Sequence, residues 1–132
     1  MRKTTPVLGL AVVLLVGCTA DGDGLAYNAA RYRSGDCKVT SRLAFEIDEA
    51  VKPVVAGDTK PARVVDDLKA LQKELIDAVP GIADAKLRDG AQDVVDAVGF
   101  YRIGIDAEKF TPELAKNVAT ASRRFLSSCS VN

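Results

Sequence analysis

The sequence has no histidine, no tryptophan and a single methionine, with four phenylalanines and three tyrosines among 132 residues. Without histidine the chain lacks the commonest general base and the commonest metal ligand. It also lacks a net charge, with 18 basic against 18 acidic residues, whereas a binder of nucleic acid carries a basic excess; no nucleic-acid partner is expected. No Gly-x-Ser-x-Gly elbow serves any of its serines, no Cys-x-x-Cys pair occurs, and no glycine-rich phosphate loop follows a strand pattern. The apolar run from Val7 to Val16 is ten residues long, short of the ~20 that a membrane-spanning helix requires. Asp89, Asp93 and Asp96 share one helical face beside Lys86 and Arg88. Carboxylate catalysis needs two groups opposed across a cleft, so these three read as a solvated surface. Haem or di-iron bundles place histidine or glutamate pairs on inner positions, and the apolar stripes here carry none. No enzyme activity, cofactor or metal is expected.

The chain does have a distinctive start. Arg2-Lys3 precedes the run Val7–Val16, and the run ends Leu15-Val16-Gly17-Cys18. A basic opening, a short apolar stretch and small residues before a cut mark a secretory leader. A buried core helix would not open on Arg-Lys three residues from an initiator methionine. The segment resembles a bacterial lipoprotein signal peptide, whose lipobox reads Leu, a small or branched residue, Gly or Ala, then Cys; Leu15, Val16, Gly17 and Cys18 fill those places. The resemblance implies cleavage between Gly17 and Cys18, a diacylglyceryl group on the Cys18 sulfur, and often acylation, such as palmitate, on the new amino terminus. It further implies a lipid-anchored protein on the extracytoplasmic face of a cell membrane. One acyl chain binds a bilayer only marginally, but two hold it stably. Thr19 differs from the Asp that would resemble an inner-membrane retention signal, so the sequence leaves inner or outer membrane open.

Removal of residues 1–17 leaves 115 residues with a formal charge of −2, because Arg2 and Lys3 depart with no acid. That length suits one domain with a modest core. Of the three cysteines, lipidation would take Cys18 and leave Cys37 and Cys129 as an even pair. Exported domains occupy compartments where disulfides persist, so a Cys37–Cys129 bond is expected; in the chain-entropy model it contributes about 4–5 kcal/mol. Residues 18–36 read as a flexible tether that opens Thr-Ala-Asp-Gly-Asp-Gly. Asp21-x-Asp23-Gly24 is only faintly like a calcium loop, since a third acidic ligand and a closing Glu are missing. Tyr27, Arg31, Tyr32 and Arg33 have two readings: a short helical turn docked on the domain, or a contact with anionic headgroups.

From Cys37 onward, apolar residues recur at helical spacing in four segments. Leu43, Ile47, Ala50 and Val54 form the first stripe, with Pro53 expected to kink or end it and Gly57-Asp58-Thr59 to break the chain. Val64, Leu68, Leu71, Leu75 and Ala78 form the second, capped by Asp58 or Thr59, with Pro61 in its first turn and Pro80-Gly81 at its end. Leu87, Ala91, Val94, Val98, Tyr101 and Ile105 form the third. Residues 99–105 also permit a strand, but one strand without a partner is unstable, so the segment is read as helix, frayed past Ile103. Thr111-Pro112-Glu113 starts the fourth, with Thr111 as cap and Leu114, Val118, Ala121 and Phe125 as its stripe; Cys129 falls one turn further on the same face. Short connections favour antiparallel neighbours, and four antiparallel helices bring Cys129 back to Cys37. The expectation is an all-α, up-and-down antiparallel four-helix bundle over 37–132, preceded by a signal peptide and a flexible tether.

Phe100, Tyr101, Ile103, Ile105 and Phe110 are apolar on several sides of the third helix and its end. They read either as a helix end buried by its loop and neighbour or as an exposed patch for a partner; Phe100, Tyr101, Ile103 and Phe110 are the candidate patch. In layout the region 37–132 resembles small helical lipoproteins of actinobacteria, which pair a cysteine before the first helix with one at the end of the last. That resemblance implies a cell-surface bundle of unassigned activity and transfers no functional residues. The functional expectation is a non-catalytic accessory module that binds an envelope protein. The alternative is a carrier of a small apolar or lipid-like ligand, for which Ala50, Ala91 and Ala121 would have to gather in one core layer. Oligomeric state is not legible in the sequence.

Overall fold

The computed structural model describes residues 26–131. Four helices carry the fold: α1 (Cys37–Val55), α2 (Val65–Ala78), α3 (Ala85–Asp106) and α4 (Pro112–Cys129). Single 3-10 turns lie at Ala29–Arg31, Pro61–Val64 and Val79–Gly81. α1 packs on α4 and α4 on α3, while α2 closes the ring against α1 and α3. The arrangement is the up-and-down bundle that short connections favour. Its core is aliphatic, built on Leu43, Ile47 and Val51 of α1, Leu68 and Leu75 of α2, Val94 and Val98 of α3, and Val118 of α4, all fully buried. Tyr101 and Phe125 supply the aromatic bulk.

Where each helix stops is decided by backbone chemistry. Pro53 lies inside α1 and costs it only the amide that would have met the Glu49 carbonyl, so the helix continues to Val55. The stop belongs to Gly57, at φ +84°. Its amide donates to Val54 O at 3.0 Å and the Asp58 amide to Pro53 O at 2.8 Å, the paired bonds of a Schellman closure. α3 ends with the same two bonds, Glu108 N to Ile105 O at 3.1 Å and Lys109 N to Gly104 O at 2.8 Å. Here the left-handed position is filled by Glu108, at φ +56°. The segment 99–105 is helical throughout, and helix continues past Ile103 to Asp106.

The expected hydroxyl caps do not form. Lys60 is extended and Pro61 opens a 3-10 turn with no side-chain cap; at α4, the Leu114 amide takes the Thr111 backbone carbonyl at 3.0 Å instead of the hydroxyl. Proline at the first position already removes one of the free amides that such a cap would satisfy. α3 is capped by Asp84, whose Oδ1 accepts from Leu87 N at 2.9 Å. Asp36, at the head of α1, reaches across the bundle: its Oδ2 accepts from Ala83 N at 2.9 Å and Asp84 N at 3.2 Å. One carboxylate thus fixes the α2–α3 connection to the start of α1. On the α1–α4 side, Arg123 Nε donates to both carboxylate oxygens of the buried Asp48, at 3.1 and 3.4 Å.

Cys37 and Cys129 are disulfide-bonded, with Cα atoms 5.7 Å apart and a sequence separation of 92. Around the bond, residues expected in the tether are packed against the bundle. The Arg33 amide donates to Cys129 O at 2.8 Å and the Val131 amide to Arg31 O at 3.0 Å, which makes Tyr32 and Ser130 an isolated antiparallel bridge. The Tyr27 ring stacks on Tyr32 at 5.5 Å and meets Phe45 edge-on at 5.6 Å, and its hydroxyl shares a 2.7 Å hydrogen bond with Ser41 Oγ. Of the two readings of Tyr27, Arg31, Tyr32 and Arg33, the structure adopts the docked turn. From Tyr27 onward, therefore, the expected tether packs on the domain, through Tyr27 against Phe45 and Ser41 and through the backbone pairing of Arg31–Arg33. Gly17, Cys18 and the Asp21–Gly24 segment lie outside the described residues.

Two stability measurements follow. Replacing both Cys37 and Cys129 by Ala lowers unfolding free energy by about 4–5 kcal/mol in urea titrations, the loop-closure contribution of a long loop. Glu108→Gly raises it by about 1 kcal/mol, because glycine relieves the left-handed strain of an L side chain.

Candidate functional site

The four residues of the expected apolar patch divide between surface and core. Phe100 and Ile103 are each 62% exposed, and three residues apart on a helix they are neighbours on one face. Tyr101 points the other way and is fully buried. Its ring meets Phe110 edge-on at 4.9 Å, its hydroxyl donates to Pro61 O at 2.7 Å, and Phe110 is half-buried against the core. Tyr101 therefore does not belong to a surface patch. It ties the end of α3 to the turn before α2, and a step of one residue turns a helix by about 100°, enough to carry a side chain from surface to core. Gly104 lets the α3–α4 corner close over this ring: a β-carbon there would collide with the Leu114 side chain and stand 3.5 Å from Phe110 Cα.

A groove of about 450 Å³ lies where α2 meets α3, lined by Asp66, Lys69, Ala70, Lys73 and Ile76 of α2 and by Arg102 of α3. Gln72 lies at its base. It sits at a core position of α2, between Leu68 and Leu75, and is 6% exposed. Its Nε2 donates to the Val95 carbonyl of α3 at 3.0 Å, and its Oε1 accepts from Arg102 Nη1. Both ends of the buried amide are satisfied. Arg102 is oriented as a result, because one of its five N–H groups is committed to Gln72 and the fork geometry places the rest. Among the described residues no carboxylate lies within salt-bridge distance of Arg102. The groove thus pairs apolar walls with a guanidinium whose capacity for a carboxylate is unused.

Gln72 and Arg102 were not identified from the sequence. The signal was present in Gln72, a glutamine on an otherwise apolar stripe, which is costly to bury unless both its groups find partners. Arg102 leaves no such trace, because an arginine at a helix surface is ordinary. The small residues needed for an internal cavity are dispersed: Ala91 is fully buried, Ala50 lines a groove between α1 and α2, and Ala121 lines one between α3 and α4. Asp89, Asp93 and Asp96 are exposed, with Asp96 accepting from Gln92 Nε2 at 2.9 Å. Among the described residues no group of three or more potential ligands is disposed to hold a metal ion, and no helix is long and apolar enough to cross a membrane.

Burial gives Tyr101 a measurable signature by pushing its hydroxyl up to about 12, against an ordinary value near 10. The fold accommodates the neutral phenol. Its contribution is therefore complete below the unfolded-state value and is lost as pH rises from about 10 toward 12. Unfolding free energies measured across that window should fall more steeply for the wild type than for Tyr101→Phe. At neutral pH the variant should be about 1 kcal/mol less stable through loss of the bond to Pro61.

Compared with known proteins, the chain matches no family model, no curated protein and no solved structure.

Proposed function

We propose that this protein is an extracytoplasmic lipoprotein, anchored to a cell membrane through lipid on Cys18, and that its bundle is a non-catalytic module that binds another envelope protein. The anchor rests on Leu15-Val16-Gly17-Cys18 behind a basic, apolar leader. Residues 18–25 separate Cys18 from the docked segment, and eight residues reach at most ~28 Å. The domain would therefore work close to the headgroups.

The observation that carries the binding role is the pair of large apolar side chains, Phe100 and Ile103, exposed one turn apart on α3. Adjacent large apolar side chains on a helix surface offer a contact site to a partner protein. A reading as carrier of an apolar or lipid-like ligand finds its support in the α2–α3 groove rather than in the interior. Ligand pockets usually enclose most of the ligand's surface, so the protein-binding role is the better fit.

Cys18→Ser should move the protein from the membrane fraction to the soluble fraction. Retention of the variant in the membrane would count against the lipid anchor. Native mass spectrometry of the protein purified from its own membrane separates the two roles. A bound protein supports the adaptor and a co-purifying lipid inside the stoichiometric complex supports the carrier; a bare monomer counts against both.

A further inference from the structure

We propose that the groove between α2 and α3 receives an acidic amphipathic helix of the partner protein, with Arg102 holding one of its carboxylates. The inference rests on the adaptor reading and assigns that reading its partner chemistry. Along α2 the groove extends from Asp66 to Ile76, about 15 Å at helical rise, or three turns. A helix laid between two antiparallel helices contacts such a groove through residues spaced i, i+3 or i+4, and i+7. Ala70 and Ile76 offer apolar surface on the α2 wall, and Ile103 is exposed on α3 one residue past Arg102.

Charge decides the sign of the occupant. Three cations, Lys69, Lys73 and Arg102, line the groove against one acid, Asp66. Lys73 lies 3.4 Å from Asp77 across an exposed pair, a contact of little energetic weight. Arg102 differs from the lysines in being positioned before any partner arrives, because Gln72 is itself fixed to the Val95 carbonyl. A guanidinium held in this way recognises a carboxylate with less ordering cost than a free lysine. The groove between α1 and α2 carries Glu46, Glu49 and Asp67, of which Glu46 is paired with Arg42 and Glu49 with Lys52. The α2–α3 groove, with cations in excess, is the side of α2 that attracts an acidic helix.

The test uses the full mature chain in phosphatidylcholine nanodiscs, with empty nanodiscs as blank. The probe is a fluorescent 18-residue helix of alanine and leucine, with leucines at i, i+3, i+4 and i+7 and glutamates flanking them; its twin carries glutamine for each glutamate. Fluorescence anisotropy should show the glutamate peptide binding at least ten-fold more tightly. Arg102→Gln, checked for native helicity by circular dichroism, should bring the two peptides together. Ile103→Ser should weaken both, and Glu49→Gln should leave the preference unchanged. Equal affinities in the wild type, or a preference that survives Arg102→Gln, overturns the proposal. So does displacement of the peptide by decanoate at one equivalent, which would make the groove a fatty-acid site. Sedimentation of the bundle as an Ile103-dependent dimer would assign the face to a second copy and equally overturn it. Benzoylphenylalanine at position 103 in the cell envelope distinguishes this inference from the reading beneath it. No protein crosslink there sinks the adaptor, whereas a protein crosslink unaffected by Arg102→Gln sinks only the carboxylate contact.

Discussion

The bond between Cys37 and Cys129 joins the head of the first helix to the tail of the last, and the geometry around it depends on that closure. A four-helix ring has one seam that no loop connects, between α1 and α4, and here the seam is covalently shut. Beside it the Arg31–Arg33 backbone pairs with Cys129–Val131, Tyr27 packs over Tyr32 and Phe45, and Asp36 takes the two amides that open the way into α3. Three chain segments that are far apart in sequence meet at one end of the bundle. A core of valines, leucines and alanines in a domain of this size leaves a small margin of stability, and a crosslink that restricts the unfolded chain adds to it where the packing adds least.

The other end of the molecule is organised by contacts of a different kind. Tyr101 and Phe110 fill the corner between α3 and α4, and Gly104 removes the β-carbon that would hold that corner open. The same helix that buries Tyr101 exposes Phe100 and Ile103. One stretch of α3 therefore serves both as core and as surface, and its Arg102 lines the α2–α3 groove, where the buried Gln72 links α2 to α3 and orients the arginine. A buried amide with both ends satisfied is a specifying contact. It sets how α2 sits on α3, and the groove inherits its shape from that setting.

Much of the fold was legible because helical periodicity reports burial directly. Leu43, Ile47, Leu68, Leu75, Val94, Val98, Val118 and Phe125 all lie on the stripes read from the sequence and all are buried. The parity of the cysteines and the antiparallel return of the chain pointed independently to the bond that forms. What proved illegible was decided by competing backbone chemistry. Pro53 reads as a kink or an end, but it lies inside the last turn and the helix runs on to Val55. Asp58 and Thr111 read as caps, but proline at the first position and a backbone carbonyl took over the work. Tyr27 and Tyr32 left two readings open, and the docked one prevails because the two rings stack on each other and Tyr27 meets Phe45.

The sequence by itself determined the helix count, most of the face each helix buries, and the cysteine pair that the fold joins. These follow from properties that are local or that repeat along the chain: spacing, residue size and parity. Only the tertiary structure decided that Tyr101 is core while Phe100 and Ile103 are surface, that Gln72 is buried and satisfied, and that Arg102 lines a groove without an ion-pair partner among the described residues. Those outcomes depend on which wall of α2 meets which wall of α3. That angle is set by the summed packing of all four helices and is written in no single stretch of the chain.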